Sequence, residues 1–320
     1  MLFLTPSIRA LCWLGRQGTR AVAALVFIGI AVPPLGAVLK PYVAESIFVL
    51  LVTAFLRLEL TALRGHLIRP GLVLAATGWS MLAIPLLYGV ICLAIGIDTR
   101  APDLFLALML QAVASPMMAA PAFAALMGLD ATLVLVTLVL GTALTPLTAP
   151  VFAHVFVGSG LSLSQLALGL KLFAILAGAA LVAAALRRVV GMDAVRRHKE
   201  SIDGFNVIVL LVFVAAVMEN VAASVLARPL VVLGLAALAV TVFLLVLGTT
   251  ILLFTRAGMA RAFALGFMAS QRNMGLMLAA TGGALPDLVW LYFAICQLPI
   301  YLSPQLLKPL ARRMIAGVRA

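Results

Sequence analysis

The sequence predicts an all-α polytopic membrane protein of ten transmembrane helices, arranged as two inverted five-helix repeats, residues 1–160 and 161–320. Three observations carry that expectation. Hydrophobic residues make up 65% of the 320, and charged residues only 10%, too little polar surface for a soluble chain of this length. Apolar runs of about 18 or more residues recur from end to end, as membrane-crossing helices require and the short alternating strands of a barrel do not. Finally, the cations sort by loop.

Ten spans can be drawn, at 21–39, 43–58, 70–95, 102–128, 131–157, 165–187, 204–222, 229–254, 259–281 and 287–308. Counting from the N-terminus, one set of alternate loops and both termini hold 17 of the 22 Lys and Arg. The opposite set holds Lys40, Arg100 and Arg228, while Lys171 and Arg272 fall inside spans. Cytoplasmic loops carry the excess of Lys and Arg, so this sorting predicts an even span number and both termini in the cytoplasm, in the cell's inner membrane. The net charge of +12 then reports orientation and not nucleic-acid binding. Residues 1–20 carry Arg9, Arg16 and Arg20 without an acid and read as an amphipathic cytoplasmic lead-in, not a cleaved signal. The second span is short and is followed at once by Arg57, Glu59 and Arg64, with Arg57 able to snorkel to the interface. Loop 188–203 is the most charged stretch and joins the halves. It reads as a solvated loop, with lipid binding or regulation as the alternative.

The halves match in order. Arg69-Pro70 opens the third span and Arg228-Pro229 the eighth. The fourth and ninth spans carry Ser115-Pro116 and Ser270 to Asn273 at mid-membrane. The fifth and tenth each contain two prolines, Pro146 and Pro150, then Pro299 and Pro304. Five spans per half is an odd number, so the second half enters the membrane inverted. Interrupted helices at corresponding positions of an inverted repeat point to the binding site of a secondary transporter.

The ninth span holds the sharpest anomaly. An arginine at helix centre costs about 2.5–3.5 kcal/mol on insertion scales, so Arg272 needs a partner, a wet cavity or a substrate. Two readings stay open: direct contact with an anionic substrate, or a buried structural pair with carbonyls freed by a helix break. Ser270, Asn273 and Met277 would share one helical face, with Arg272 about a quarter-turn away. A half-helix starting near Asn273 would aim its positive end at an anion. In the fourth span, Pro116 and Pro121 lack backbone donors and disfavour a continuous helix beside Gln111 and Ser115. Thr142, Thr145 and Thr148 form a stripe in the fifth span that either lines the cavity or bonds its own helix. Met117, Met118, Met274 and Met277 suggest either an apolar ligand wall or plain packing. The candidate substrate-binding set is Asn273, Arg272, Gln271, Ser270, Ser115, Met118 and Thr145. Glu219 is the candidate proton carrier, and Lys171 is expected to lie shallow and snorkel outward. His154 reads as packed near the outer end of its span, and His66 as a loop residue.

Hydrolase, zincin and nucleotide-binding motifs are missing from the sequence, as is a pair of mid-membrane carboxylates. Cys12, Cys92 and Cys296 have no metal-ligand spacing. The expectation is a non-enzyme without metal or cofactor, whose partners are a small organic anion and the bilayer, not nucleic acid.

Three stretches resemble the bile acid:sodium symporter family, over roughly 21–315. They are Leu58-Glu59-Leu60 through Arg69-Pro70 to Ile84-Pro85-Leu86, then Thr145-Pro146-Leu147-Thr148-Ala149-Pro150, and Arg272-Asn273-Met274-Gly275-Leu276. The resemblance implies crossed, broken fourth and ninth helices within a core of spans 3–5 and 8–10, faced by a panel of spans 1, 2, 6 and 7. It places substrate at the retained Asn273. The departures fall on positions that hold sodium in the family: Ala120-Pro121 stand for a Ser-Asn pair, Met268 for a glutamate, Arg272 for a glutamine and Ser80 for another glutamine. A guanidinium about 4 Å from a captured cation would cost it roughly 4 kcal/mol at an effective dielectric of 20. The resulting expectation is a secondary transporter of a small or amphipathic organic anion without two-sodium coupling, Arg272 standing in for the missing charge. A cation/proton antiporter of similar crossed-helix fold and a non-transporting membrane sensor are the alternatives.

Overall fold

The structure, a computed structural model, describes residues 6–17, 19–58, 70–161, 163–282 and 285–316. Among them the only regular elements are helices, with one isolated β-bridge. The predicted loop residues Glu59, Arg64, His66 and Arg69 lie outside the described residues.

In chain order, Pro6–Gln17 (α1) and Thr19–Ala31 (α2) lead to Pro33–Leu39 (α3), which opens on two prolines where a missing N–H costs nothing. A 3₁₀ turn at Lys40–Tyr42 precedes Val43–Leu56 (α4). Pro70–Gly78 (α5) continues through a π turn at Trp79–Ala83 into Ile84–Ala94 (α6). Pro102–Val113 (α7) and Ala120–Met127 (α8) follow, then Ala131–Phe152 (α9), started by the Asp130 cap on the Leu133 N–H. Gln165–Val190 (α10), Met192–Arg197 (α11), Lys199–Val217 (α12) and Val221–Ala227 (α13) form the middle of the chain. Pro229–Phe254 (α14), Met259–Ser270 (α15), Met274–Thr281 (α16) and Asp287–Ala316 (α17) complete it.

Six helical stretches are long and apolar enough to cross a membrane: Pro33–Leu56, Pro70–Ala94, Ala131–Val157, Gln165–Val190, Lys199–Ala227 and Pro229–Ala257. The protein is therefore an all-α membrane protein. The lead-in contains a regular helix, α1. The structure departs from the drawn spans elsewhere. The first span is divided at Val32 between α2 and α3. The third span is interrupted by a π turn, because Pro85 removes a donor the α-helix would need. The last helix runs past 308 to Ala316 and accommodates Pro299, Pro304 and Pro309.

The chain divides into two units. One comprises the described residues of Met1–Leu58 and Ala174–Pro229. Its axis is α12. Leu11 and Gly15 of α1 cross α12 at Gly204 and Glu200, where the Cys12 and Ser201 side chains meet at 3.1 Å, and α2 then ascends alongside α12, with Gly29 packed on Ala215 and Met218. Gly36 and Lys40 reach its far end, where Lys40 Nζ pairs with Glu219 at 2.7 Å. The chain then turns back. Thr53 Oγ1 donates to Asn206 Oδ1 at 2.6 Å, and Arg57 Nη1 to Asp203 at 2.5 Å, so α4 runs antiparallel to α12. Arg187 of α10 donates to the carbonyls of Phe55, Leu56 (3.0 Å) and Leu58 (2.6 Å), capping α4.

The other unit comprises the described residues of Glu59–Phe173 and Leu230–Ala320. Trp79 Nε1 donates to Thr250 Oγ1 at 2.9 Å and ties the π turn to α14. Tyr292 Oη donates to Gln111 Oε1 at 2.7 Å and ties α17 to α7. Lys171 is exposed, and its Nζ lies 3.7 Å from where a Cβ on Gly282 would sit, at the C-terminal, negative end of α16.

Candidate functional site: a crossing of two interrupted helices

The site begins with two sequences that cannot stay helical. Pro116 has no N–H to give α7, and Ala114 turns extended (φ −62°, ψ 144°). Helix resumes as α8, with Pro121 in its first turn, where no donor is missed. In the second segment Ser270 Oγ turns back to the Phe267 carbonyl at 2.9 Å, ending α15, and Gln271 is extended (φ −91°, ψ 98°). Asn273 restarts the helix as an N-cap, its Oδ1 accepting from the Leu276 N–H at 3.1 Å. The two interrupted helices have the same plan. Each first half has 12 residues and each second half 8, and each second half ends on a left-handed glycine, Gly128 (φ 79°) or Gly282 (φ 67°).

The breaks meet. Pro116 and Arg272 form an antiparallel bridge, in which the Met117 N–H donates to the Gln271 carbonyl and the Asn273 N–H to the Ser115 carbonyl, both at 2.8 Å. Backbone groups that each break would leave unpaired at membrane depth are thus satisfied by the other break. Pro116 packs against α9 at Gly141. A Cβ there would stand 3.4 Å from Pro116 Cδ and 3.2 Å from Met81 Sδ.

Side chains alternate across extended backbone, so the bridge has two faces. Pro116 and Arg272 share one. Arg272 is only 4% exposed, and its Nη1 donates to the Ala114 carbonyl (3.0 Å) and to Ser80 Oγ (3.3 Å). Its Nη2 donates to the Ser80 carbonyl at 3.1 Å. Both carbonyls are free for a reason visible in the sequence. The Ala114 carbonyl lies beyond the end of α7. At Ser80, the Ile84 N–H bonds the Trp79 carbonyl instead, one residue further back than in an α-helix, and Pro85 has no N–H at all. One guanidinium therefore ties the end of α7, the π turn and its own break together. Neutral oxygens supply all three of these bonds. The two ion pairs found among the described residues, Lys40–Glu219 and Arg57–Asp203, both lie in the other unit.

Ser115, Met117, Gln271 and Asn273 share the opposite face. Ser115 is fully buried, and its Oγ has no partner among the described residues. Gln271 is also fully buried; its Nε2 donates to Ser303 Oγ at 2.7 Å, and its Oε1 has no partner among the described residues. The Ser303 hydroxyl in turn donates to the Ile300 carbonyl at 3.1 Å. Asn273 is half-buried, and with its oxygen used as a cap its Nδ2 donates to no side chain or carbonyl among the described residues. The result is a small patch of unspent donors and acceptors beside the N-terminus of α16, bordered by the half-buried Met117 and Met118.

The structure therefore divides the predicted residue set. Gln271, Asn273 and Ser115 come together, with Met118 nearby. Arg272 points to the opposite face, held by Ser80 and Ala114, of which only Ser80 had been singled out, and then through the family resemblance alone. The expected single face of Ser270, Asn273 and Met277 does not form, because the helix is broken between them. Ser270 is spent on α15, and Met274 and Met277 are core residues at 1% and 0% exposure. Thr145 is fully buried and bonds the Gly141 carbonyl at 2.9 Å, serving its own helix. The Thr142 and Thr77 hydroxyls, by contrast, are buried without partners among the described residues. Glu219 is engaged by Lys40 in the other unit. A separate open groove of about 1110 Å³ runs between the end of α9 and the start of α10, lined by Pro146, Pro150, His154 and Phe173 among others. It shares no residue with the crossing. No protein-family model matches the chain, and no curated protein matches it.

Proposed function

We propose that the protein is a secondary transporter that moves a small or amphipathic organic anion across the cell's inner membrane by alternating access. In this reading it is a divergent relative of the bile acid:sodium symporter family that does not use sodium. The observation that carries it is the reciprocal pairing of two broken helices at Pro116 and Arg272. Broken helices that expose unspent backbone ends and polar side chains at mid-depth are how transporters of this kind hold substrate. The matched half-helices of 12 and 8 residues, joined antiparallel, support ten spans in two inverted repeats. The unit containing the crossing is then the core, the other unit the panel, and both termini are cytoplasmic.

Asn273 Nδ2, Ser115 Oγ and the α16 N-terminus would receive the anion, with Met117 and Met118 against its apolar body. Arg272 is the internal cation. It bonds Ser80, and both residues stand where the family resemblance places sodium ligands, which supports substitution of the ion by a side chain.

Purified protein screened by thermal shift against mono- and dicarboxylates and sulfonates, in sodium and in potassium buffer, tests the reading. At least one anion should stabilise the protein equally in both salts and should cross proteoliposomes that contain it. Stabilisation that needs sodium, or binding without flux, overturns it.

A further inference from the structure

The transport reading leaves open what drives the substrate, and the surroundings of Arg272 answer that. Arginine keeps its charge under any physiological condition, and this one is 4% exposed with only neutral oxygens as its partners. The described carboxylates of its unit all stand at helix ends. Asp98 is in a four-residue helical turn, Asp103 is in the first turn of α7, Asp130 caps α9 and Asp287 opens α17. The α7 C-terminus contributes partial negative charge through the Ala114 carbonyl, but no side chain among the described residues of its unit balances the full positive charge. Nor do the described residues place a carboxylate or a histidine at the crossing that would take up and release a proton with substrate. The core thus carries one fixed, uncompensated positive charge at mid-depth, on one face of the two-stranded crossing. The anion patch lies on the other face. With little to screen it, the charge acts across that thickness.

A fixed charge changes which step feels the membrane potential. When a monovalent anion is bound, the moving core is electrically neutral, and its reorientation is indifferent to voltage. When the core is empty its crossing carries one positive charge, and its reorientation is not. An inside-negative potential draws the empty core towards the cytoplasmic-facing state, where it loads. Over a full cycle the fixed charge cancels and only the anion's charge has moved. We propose that the protein is an uncoupled, potential-driven exporter of a monovalent anion, with Arg272 making the return of the empty carrier the voltage-dependent step. At equilibrium a monovalent anion would distribute roughly 50-fold per 100 mV in favour of the outside.

The inference rests on the transport reading, but its test needs no substrate. Voltage steps are applied to planar bilayers containing the full-length protein in choline chloride, without sodium or added organic anion. The expected result is a transient, saturating charge movement approaching one elementary charge per protein, kept in Arg272→Lys and lost in Arg272→Gln. Should Arg272→Gln fail to fold, the wild type and Arg272→Lys still decide. A wild type without charge movement, or with charge movement only after sodium is added, overturns the inference. Anion flux in the same preparation separates the two levels: normal flux without charge movement sinks only the voltage mechanism, whereas no flux of any anion sinks the transport reading beneath it.

Discussion

Arg272 and Asn273 are neighbours in sequence and do opposite work. Arg272 saturates carbonyls that the fold cannot otherwise satisfy. Replacing it with alanine leaves the Ala114 and Ser80 carbonyls buried and unpaired, at about 1–3 kcal/mol each, offset in part by removal of a buried charge. Arg272→Ala should therefore lose about 3 kcal/mol, seen as a lower unfolding temperature in detergent. Arg272→Lys should fall in between, because an ammonium lacks the planar fork. Ser80→Ala, which deletes only the 3.3 Å hydroxyl contact, should cost under about 1 kcal/mol. An Arg272→Ala protein as stable as wild type would refute the clamp. Asn273 gives the complementary case. Asn273→Asp keeps a good N-cap and so keeps stability, but places a negative charge where an anion would sit. Any anion found to stabilise the wild type should lose at least about tenfold in affinity on Asn273→Asp, worth some 1.4 kcal/mol. Asn273→Ala should lose about 1 kcal/mol of stability as well, with the cap. Unchanged affinity in Asn273→Asp would remove Asn273 from the site.

At the level of elements, the sequence shows the breaks but not their closure. Pro116 and Pro121 announce an interruption by the donors they lack, and Ser270 to Asn273 by polar residues where apolar ones belong. The asparagine cap was likewise readable, since Asn before an apolar run is a helix start. Three things were not readable. A continuous helix over 270–277 would set Ser270, Asn273 and Met277 on one face, and the break dissolves that face. The π turn follows from Pro85, but what reaches the freed Ser80 carbonyl is a side chain 192 residues away. Pro116 packs against α9 at Gly141, which looks like any of the 25 glycines in the chain. That last contact gives a sharp test. Ala at 141 would need Met81, a flexible side chain, to give by a few tenths of an ångström, and should be tolerated. Gly141→Leu would push α9 off the crossing and should destabilise by about 2 kcal/mol or more. If Gly141→Leu keeps wild-type stability and anion binding, the packing of the crossing on α9 is not what holds it in place.

On the scale of the whole molecule, the unit built around α12 supplies a ruler. Its two ion pairs lie at Asp203 and Glu219, 16 residues apart, about 24 Å along a helix at 1.5 Å per residue. A hydrocarbon core of about 30 Å leaves both pairs near interfaces, where charged groups are affordable, and leaves the apolar stretch between them inside. The hairpin of α2 and α4 satisfies the same ruler, since Lys40 pairs at one end and Arg57 at the other. Arg57, Arg187 and Asp203 then mark one end of this unit, and Lys40 with Glu219 the other. In the proposed orientation the first end, next to residues 188–199, is cytoplasmic, and the second, near 40 and 228, faces outward. Single cysteines introduced at Arg197 and at Arg228 in a background with Cys12, Cys92 and Cys296 replaced by serine or alanine provide the measurement. A membrane-impermeant maleimide should label position 228 in right-side-out vesicles and position 197 only in inverted ones. Labelling of both positions from the same side would mean that α12 and α13 do not carry the chain across. The two ion pairs would then be surface contacts of a helix lying on the membrane, and the even span count inferred from the loop charges would fall with them.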